Sequence, residues 1–165
     1  MATTEVSKAA RDNAITHAQF VEAAAYLLRE SFEGSPEGQP SAYLDRGSGF
    51  FSTLDALSAE AVSKEFRGTT IAAQTEHAKF YVDRLCEYLN GRTEAVNWED
   101  SWLIETVNDT EWDALRSSVR TAYENALKCL AESRDWNTMQ IGMAMGMIAH
   151  TAYHLGAIRQ IAKGA

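Results

Sequence analysis

Apolar positions recur at spacings of three and four over four long stretches of this chain, the rhythm of a helix with one face turned inward. The first stretch covers residues 4–32 and carries Val6, Ala10, Ala14, His17, Val21, Ala24 and Leu28 on one stripe. Thr3 or Thr4 is its expected N-cap, and Gly34 and Pro36 end it. The second covers residues 70–90, with Ile71, Thr75, Ala78, Val82, Leu85 and Leu89 on its stripe. Gly68 and Thr69 open it, and Gly91 stands where a glycine cap belongs. The third covers residues 110–133 through Trp112, Leu115, Val119, Ala122, Ala126 and Cys129. Glu111 and Asp113 follow Thr110 there, so acidic groups fall in the positive first turn. The fourth covers residues 138–163, and Met139, Met143, Met147, His150, His154, Ala157 and Ile161 share one face.

No segment alternates apolar and polar residues between turn signals, so no strand is predicted. There is no internal repeat. The pattern predicts an all-α fold, a four-helix bundle formed by residues 1–165 as one domain. Two connections are long. Residues 33–68 hold both prolines and a short helix predicted to start at Ser58; residues 92–109 hold Trp98 and Trp102. Connections of this length cross a bundle or cover a site, and buried tryptophans in the second would cap one end.

Composition adds limits. With 45% apolar and 23% charged residues, a chain of 165 residues buries a core without a disulfide or structural metal. A metal ion would therefore serve chemistry or ligand binding. The net charge of −8 repels phosphate backbones, and no basic stripe offsets it, which argues against nucleic-acid partners. Cys86 and Cys129 belong to no CxxC pair. They read as small buried hydrophobes on helices, with a catalytic thiol as the lesser reading, and they fit a reducing compartment. The opening MATTEVSKAARD has no apolar core of a signal peptide. The longest apolar run, residues 139–149, is about half of what a bilayer needs. The expected location is cytoplasmic, with no membrane partner.

Of the four histidines, His150 and His154 stand one helical turn apart on the apolar stripe of the fourth helix. An imidazole on such a stripe needs a hydrogen-bond partner or a ligand role. That spacing fits two ligands of one metal, and it fits equally two core histidines bonded to neighbouring helices. His77 lies on the flank of the second helix's stripe and must reach inward to join them. His17, also on a stripe, is read as packing or as a group that orients a ligand, ahead of a fourth ligand, because open catalytic sites usually hold three protein ligands. Residues 151–153 are Thr, Ala and Tyr, so no His-Glu-x-x-His base is present. No Gly-rich phosphate loop, no GxSxG elbow and no Glu-x-x-His pair occurs either. Tyr153 is read as a helix–helix or dimer contact before a proton donor, and Trp98, Trp102 and Trp112 as packing, with Trp98 and Trp102 also able to line a substrate mouth. Arg159 suits a helix C-terminus or an ordering salt bridge. Gly142, Gly146 and Gly156 each cost about 1 kcal/mol of helix propensity, which close helix approach, as at a dimer interface, would explain.

The run His150-Thr-Ala-Tyr153-His154-Leu-Gly156-Ala-Ile-Arg159-Gln160 resembles the last-helix signature of DinB/YfiT-like proteins. FFSTLDALSAEAVSKEFRGTTIAAQTEHAKFYVDRL is similar to the part of that family that supplies its first histidine, and NWEDSW…EWDALRSSVRTAYE to its entry into the third helix. The resemblance covers nearly the whole chain and is strongest after residue 50. It implies a four-helix bundle in non-sequential order with long crossover connections, often a homodimer. It also implies a three-histidine site for one divalent ion, zinc or nickel, carried here by His77, His150 and His154. Some relatives place more than one histidine near the first position; Gln74 stands one turn before His77 here, so His77 is the only candidate for that position. The implied activities are thiol-dependent S-transfer, with a low-molecular-weight thiol cosubstrate and a small-molecule substrate, or metal-dependent hydrolysis. The remaining alternative is a non-catalytic ligand-binding or structural homodimer with a vestigial metal site.

Overall fold

A computed structural model describes residues 14–164. Among the described residues six α-helices form: α1 (His17–Glu33), α2 (Phe50–Asp55), α3 (Ala59–Val62), α4 (Ile71–Leu89), α5 (Asp109–Glu132) and α6 (Thr138–Gly164); a 3₁₀ helix, Trp98–Trp102, lies between α4 and α5. No strand occurs among the described residues, only an isolated bridge between Phe66 and Thr69. The all-α class expected from periodicity is what forms, with four long helices. None of these helices is long and apolar enough to cross a membrane.

The helix boundaries follow local chemistry. Thr70 caps α4 through its side chain, which accepts from the Ala73 amide at 3.0 Å. Asn90 closes α4, and Gly91 follows at φ 94°, the glycine stop expected there. α5 starts at Asp109, one residue ahead of the expected start, and its cap is Asn108: the Asn108 side chain accepts from the Glu111 amide while Glu111 accepts from the Asn108 amide. That reciprocal pair satisfies two of the otherwise orphaned donors.

The first described helix is a correction. It begins at His17 and does not run back through Ala14, because Thr16 and Gln19 form the same reciprocal cap and Thr16 itself is extended. Val6, Ala10 and the Thr3 or Thr4 cap lie outside the described residues. Ala14 and His17 are exposed, so the buried part of that stripe is Ala24 and Leu28. On α6 the outermost member of the predicted stripe, Met139, is 65% exposed, and the buried face runs through Ala144, Met147, Thr151, His154, Leu155, Ile158 and Ile161. The stripes predicted for α4 and α5 are buried throughout.

Side-chain contacts give the helix directions. Glu76 shares a groove with Leu115 and Ser118, and Cys86 shares one with Cys129, so α4 and α5 run parallel. On α6, His154 meets Gln74 and His150 meets Tyr81, so α6 runs antiparallel to α4. His17 and Phe20 lie beside Trp136, just before α6, and Phe32 stacks with Tyr123 of α5, so α1 runs parallel to α6 and antiparallel to α5. α1 packs on both α5 and α6, and α4 packs on the same two. Two parallel neighbours in succession cannot be joined by a short turn. Residues 90–108 must travel the length of α4, and that is the physical reason for the second long connection.

The first long connection folds onto α1 and α5. Its predicted short helix forms as α3, capped by Ser58. α2 was not expected: its six residues are too few to show a period, and its N-cap Gly49 offers no side-chain signal. Phe50 and Phe51 of α2 close an aromatic group with Phe32 and Tyr123. The same connection is anchored by Glu30, 1% exposed, whose carboxylate accepts from Ser41 Oγ and from the amides of Ala42, Tyr43 and Leu44 at 2.7–2.9 Å.

Candidate metal centre

The antiparallel pair α4–α6 brings His77, His150 and His154 together. His150 Nε2 lies 3.1 Å from His77 Nε2 and 3.2 Å from His154 Nε2. One nitrogen from each of the three rings lies within 4.8 Å of the others. Among the described residues no Asp, Glu or Cys joins this cluster. His17 does not join it either: its Nε2 donates to the Ser133 carbonyl at 3.1 Å, beside Trp136, which is a packing role where α5 ends and α6 begins.

The tautomers follow from the outward-facing nitrogens. Ser101 Oγ donates to the Trp98 carbonyl at 2.6 Å, so its proton is committed and it can only accept from His77 Nδ1–H, 2.7 Å away. Gln74 Nε2 donates to Thr69 Oγ1 at 3.0 Å, which leaves Gln74 Oε1 to accept from His154 Nδ1–H at 2.6 Å. Both rings are therefore held with a bare Nε2 lone pair aimed at the centre. This outward Nδ1–H bond is the support that metal-ligating histidines typically carry. His150 is held differently. It stacks on the Tyr81 ring at 3.6 Å and 10°, and its buried Nδ1 has no partner.

The electrostatics keep the rings neutral. Burial pushes His77 below its usual 6.5. Burial, then the neighbouring His77, brings His150 to about 4. Burial, then His150 and His77, brings His154 to about 3. Three unprotonated imidazoles around one point are the donor set a borderline divalent ion takes, and three ligands leave coordination positions open.

The 3₁₀ turn of the crossover roofs the site. Trp102 stacks on the far face of His77 at 3.9 Å and 16°, and Trp98 packs on Tyr81 at 5.4 Å. Both tryptophans are partly exposed, at 39% and 40%, so they edge the site instead of forming the buried cap that sequence considered. Trp112 is buried and donates to the Leu57 carbonyl at 3.0 Å, a packing residue as expected. Tyr153 is 71% exposed and meets His154 only edge-on at 5.0 Å. Arg159 forms no ion pair among the described residues.

Sequence reasoning named the three histidines and missed the residues that orient them. Gln74, His77 and Tyr81 are spaced i, i+3, i+7, so one face of α4 supplies one histidine of the cluster, a partner for His154 and a stacking ring for His150. That spacing was available in the sequence. Ser101 had no such signal, since nothing local ties it to a residue 24 positions earlier. Comparison of the chain with protein families, with curated proteins and with solved structures gives no match.

Proposed function

We propose that this chain holds one divalent metal ion, zinc or nickel, through the Nε2 atoms of His77, His150 and His154, and is a metal-dependent enzyme of the thiol S-transferase or hydrolase type. The observation that carries this reading is the fixed tautomer of His77 and His154, each with its Nδ1 proton spent outward and its lone pair turned to the common centre. Bound there, a divalent ion supplies a Lewis acid that lowers the pKa of a water or a thiol presented to it. The chain's own contribution is to keep the donors neutral, to fix their direction, and to set Trp98 and Trp102 at the edge of the centre.

The resemblance to DinB/YfiT-like proteins favours S-transfer from a low-molecular-weight thiol to a small electrophilic substrate. On that reading the four long helices are the family's bundle, with the parallel α4–α5 pair as its non-sequential step. A homodimer through the outer face of α6 belongs to the same proposal. Met139, Met145 and Tyr153 are exposed there, Gly142 and Gly156 face open space, and α6 carries no acidic residue.

One observation favours a second reading. No carboxylate joins the three histidines among the described residues, so no general base stands ready. A non-catalytic protein that uses the metal to bind or sense a ligand fits that absence as well. The first test is elemental analysis of untagged protein beside His150→Ala. About one ion per chain, lost in the variant, supports the centre; no metal in either, even after reconstitution with Zn²⁺ or Ni²⁺, ends it. Thiol-conjugate turnover abolished by a chelator then separates the enzyme from the binding protein.

A further inference from the structure

Cys86 and Cys129, read separately in the sequence as inert core residues, meet in the structure. Each lies in the last turn of its helix, and α4 and α5 are parallel neighbours, so the two last turns lie side by side. Cys129 Sγ donates to the Cys86 carbonyl at 3.6 Å and lies 3.8 Å from Asn90 Oδ1. Both side chains are at least nine-tenths buried, 8% and 4% exposed, yet both line a cleft of about 340 Å³ between the helix ends. Arg84 and Lys128 share that cleft with Asp83, Glu87 and Glu132. The pair stands nine residues beyond His77 on α4, or about 14 Å along the helix axis, and is separate from the histidine centre.

We propose that Cys86 and Cys129 are a peroxide-reactive dithiol that closes to a reversible disulfide between α4 and α5. The Cys129 thiolate attacks one oxygen of a hydroperoxide; the O–O bond breaks, and the distal oxygen leaves as hydroxide and takes up a proton to become water. The Cys86 sulfur then attacks the sulfur of the Cys129 sulfenic acid. The S–S bond forms, the S–O bond breaks, and the oxygen leaves as a second water carrying the Cys86 proton. Two thiols lose two electrons in all, and the peroxide gains them. The hydrogen bond from Cys86 pulls the Cys129 thiol down against its burial, with the Ser133 hydroxyl helping. The same bond, then burial, then the charges of Cys129, Asp83 and Glu87, push Cys86 up. Cys129 is thus the attacking sulfur and Cys86 the resolving one. The small cleft and the burial of both sulfurs admit a peroxide and exclude a bulky disulfide.

The test treats the full-length, reduced protein with hydrogen peroxide and maps non-reduced peptides after alkylation under denaturing conditions. Peptide mapping is needed because exposed Met139 and Met145 also take up oxygen and confuse an intact mass. The expected result is one cross-linked peptide joining Cys86 to Cys129, loss of both alkylatable thiols, and full recovery with dithiothreitol. The cross-link should raise the thermal midpoint by about 5–10 °C. Cys86→Ser should leave Cys129 overoxidised to sulfinic acid, and Cys129→Ser should leave Cys86 unoxidised. Two free thiols after treatment of the wild type, or a cross-link between chains instead of within one, would overturn the proposal. Both outcomes are read on the unsubstituted protein, so a variant that fails to fold does not remove the test.

Discussion

Single residues decide whether the three histidines point anywhere useful. Ser101 does not touch the centre, but it spends its proton on Trp98 and so forces His77 into the tautomer that presents Nε2. Ser101→Ala should lower metal affinity by about 10–100-fold while leaving the helical signal intact, as read by competition with a chromophoric chelator. Gln74→Leu should do the same through His154. A metal ion held by these rings would compete with protons for their nitrogens. In the metal-free protein His150 and His154 lie at about 4 and 3, against 6.5 for a free imidazole. A depressed value means that stability is present above 6.5 and is lost as the pH falls towards 4 and 3. Acid unfolding of the metal-free wild type should therefore begin below about pH 6, and His150→Phe should blunt that part of the curve. Glu30 works in a lower window. Burial alone would raise its carboxyl, but the three backbone amides and Ser41 outweigh that and hold it at about 2 instead of 4.5. Its contribution is complete above 4.5 and lost as the pH falls through 2. Glu30→Gln should cost about 1–3 kcal/mol in denaturant melts at pH 7, because an amide cannot accept from all four donors as well as a carboxylate does.

Among the elements, the crossover and the α1–α2 corner carry the sharpest constraints. α1 ends at Gly34 with φ 90°, a conformation that favours glycine, and the amide of Gly34 lies against Gly49. A Cβ on Gly49 would sit 2.4 Å from Gly34 N and 2.8 Å from the Phe32 carbonyl, both backbone atoms that cannot swing aside. Gly49→Ala should destabilise the fold by about 1–3 kcal/mol through steric conflict alone, since the Gly49 backbone at φ −72° is ordinary for any residue. The check is a urea melt with unchanged slope and a lower midpoint. The 3₁₀ turn is held to the centre mainly by Ser101 and the stacked Trp102. Trp102→Ala should thus loosen the roof more than it loosens the long helices, with faster exchange of amides 98–102 and little change in melting temperature.

For the whole molecule, the topology explains the site. Because α4 and α5 are parallel, the chain between them must return along the length of α4, and on that path it crosses His77. The crossover that the topology requires is the segment that supplies Ser101, Trp98 and Trp102. Any ion that binds only the folded centre must raise stability, by about 2.7 kcal/mol at a free concentration one hundred times the dissociation constant. Thermal melts with and without Zn²⁺ should show that rise in the wild type and none in His154→Ala. If α6 joins a second copy through its outer face, Met145→Glu should leave a monomer of unchanged helicity, as read by sedimentation, since a buried unpaired charge at an interface is costly.

What the sequence determined by itself was the set of local events that depend only on near neighbours. Helical period, apolar stripes and stop glycines located α4, α5 and α6 to within a residue or two, because each rests on contacts or caps a few positions apart. His150 and His154 were paired by the same arithmetic. The exceptions were also local: the Thr16–Gln19 cap overrode an apolar period that ran on through Ala14, and α2 was too short to have a period. The tertiary structure decided everything that joins distant positions. It set His77 from the flank of α4 against the two α6 histidines, Ser101 behind His77, the amides of 42–44 around Glu30, and Cys129 beside Cys86. Such pairings depend on which helices are parallel, and a hydrophobic stripe states that a face is buried without stating which neighbour buries it.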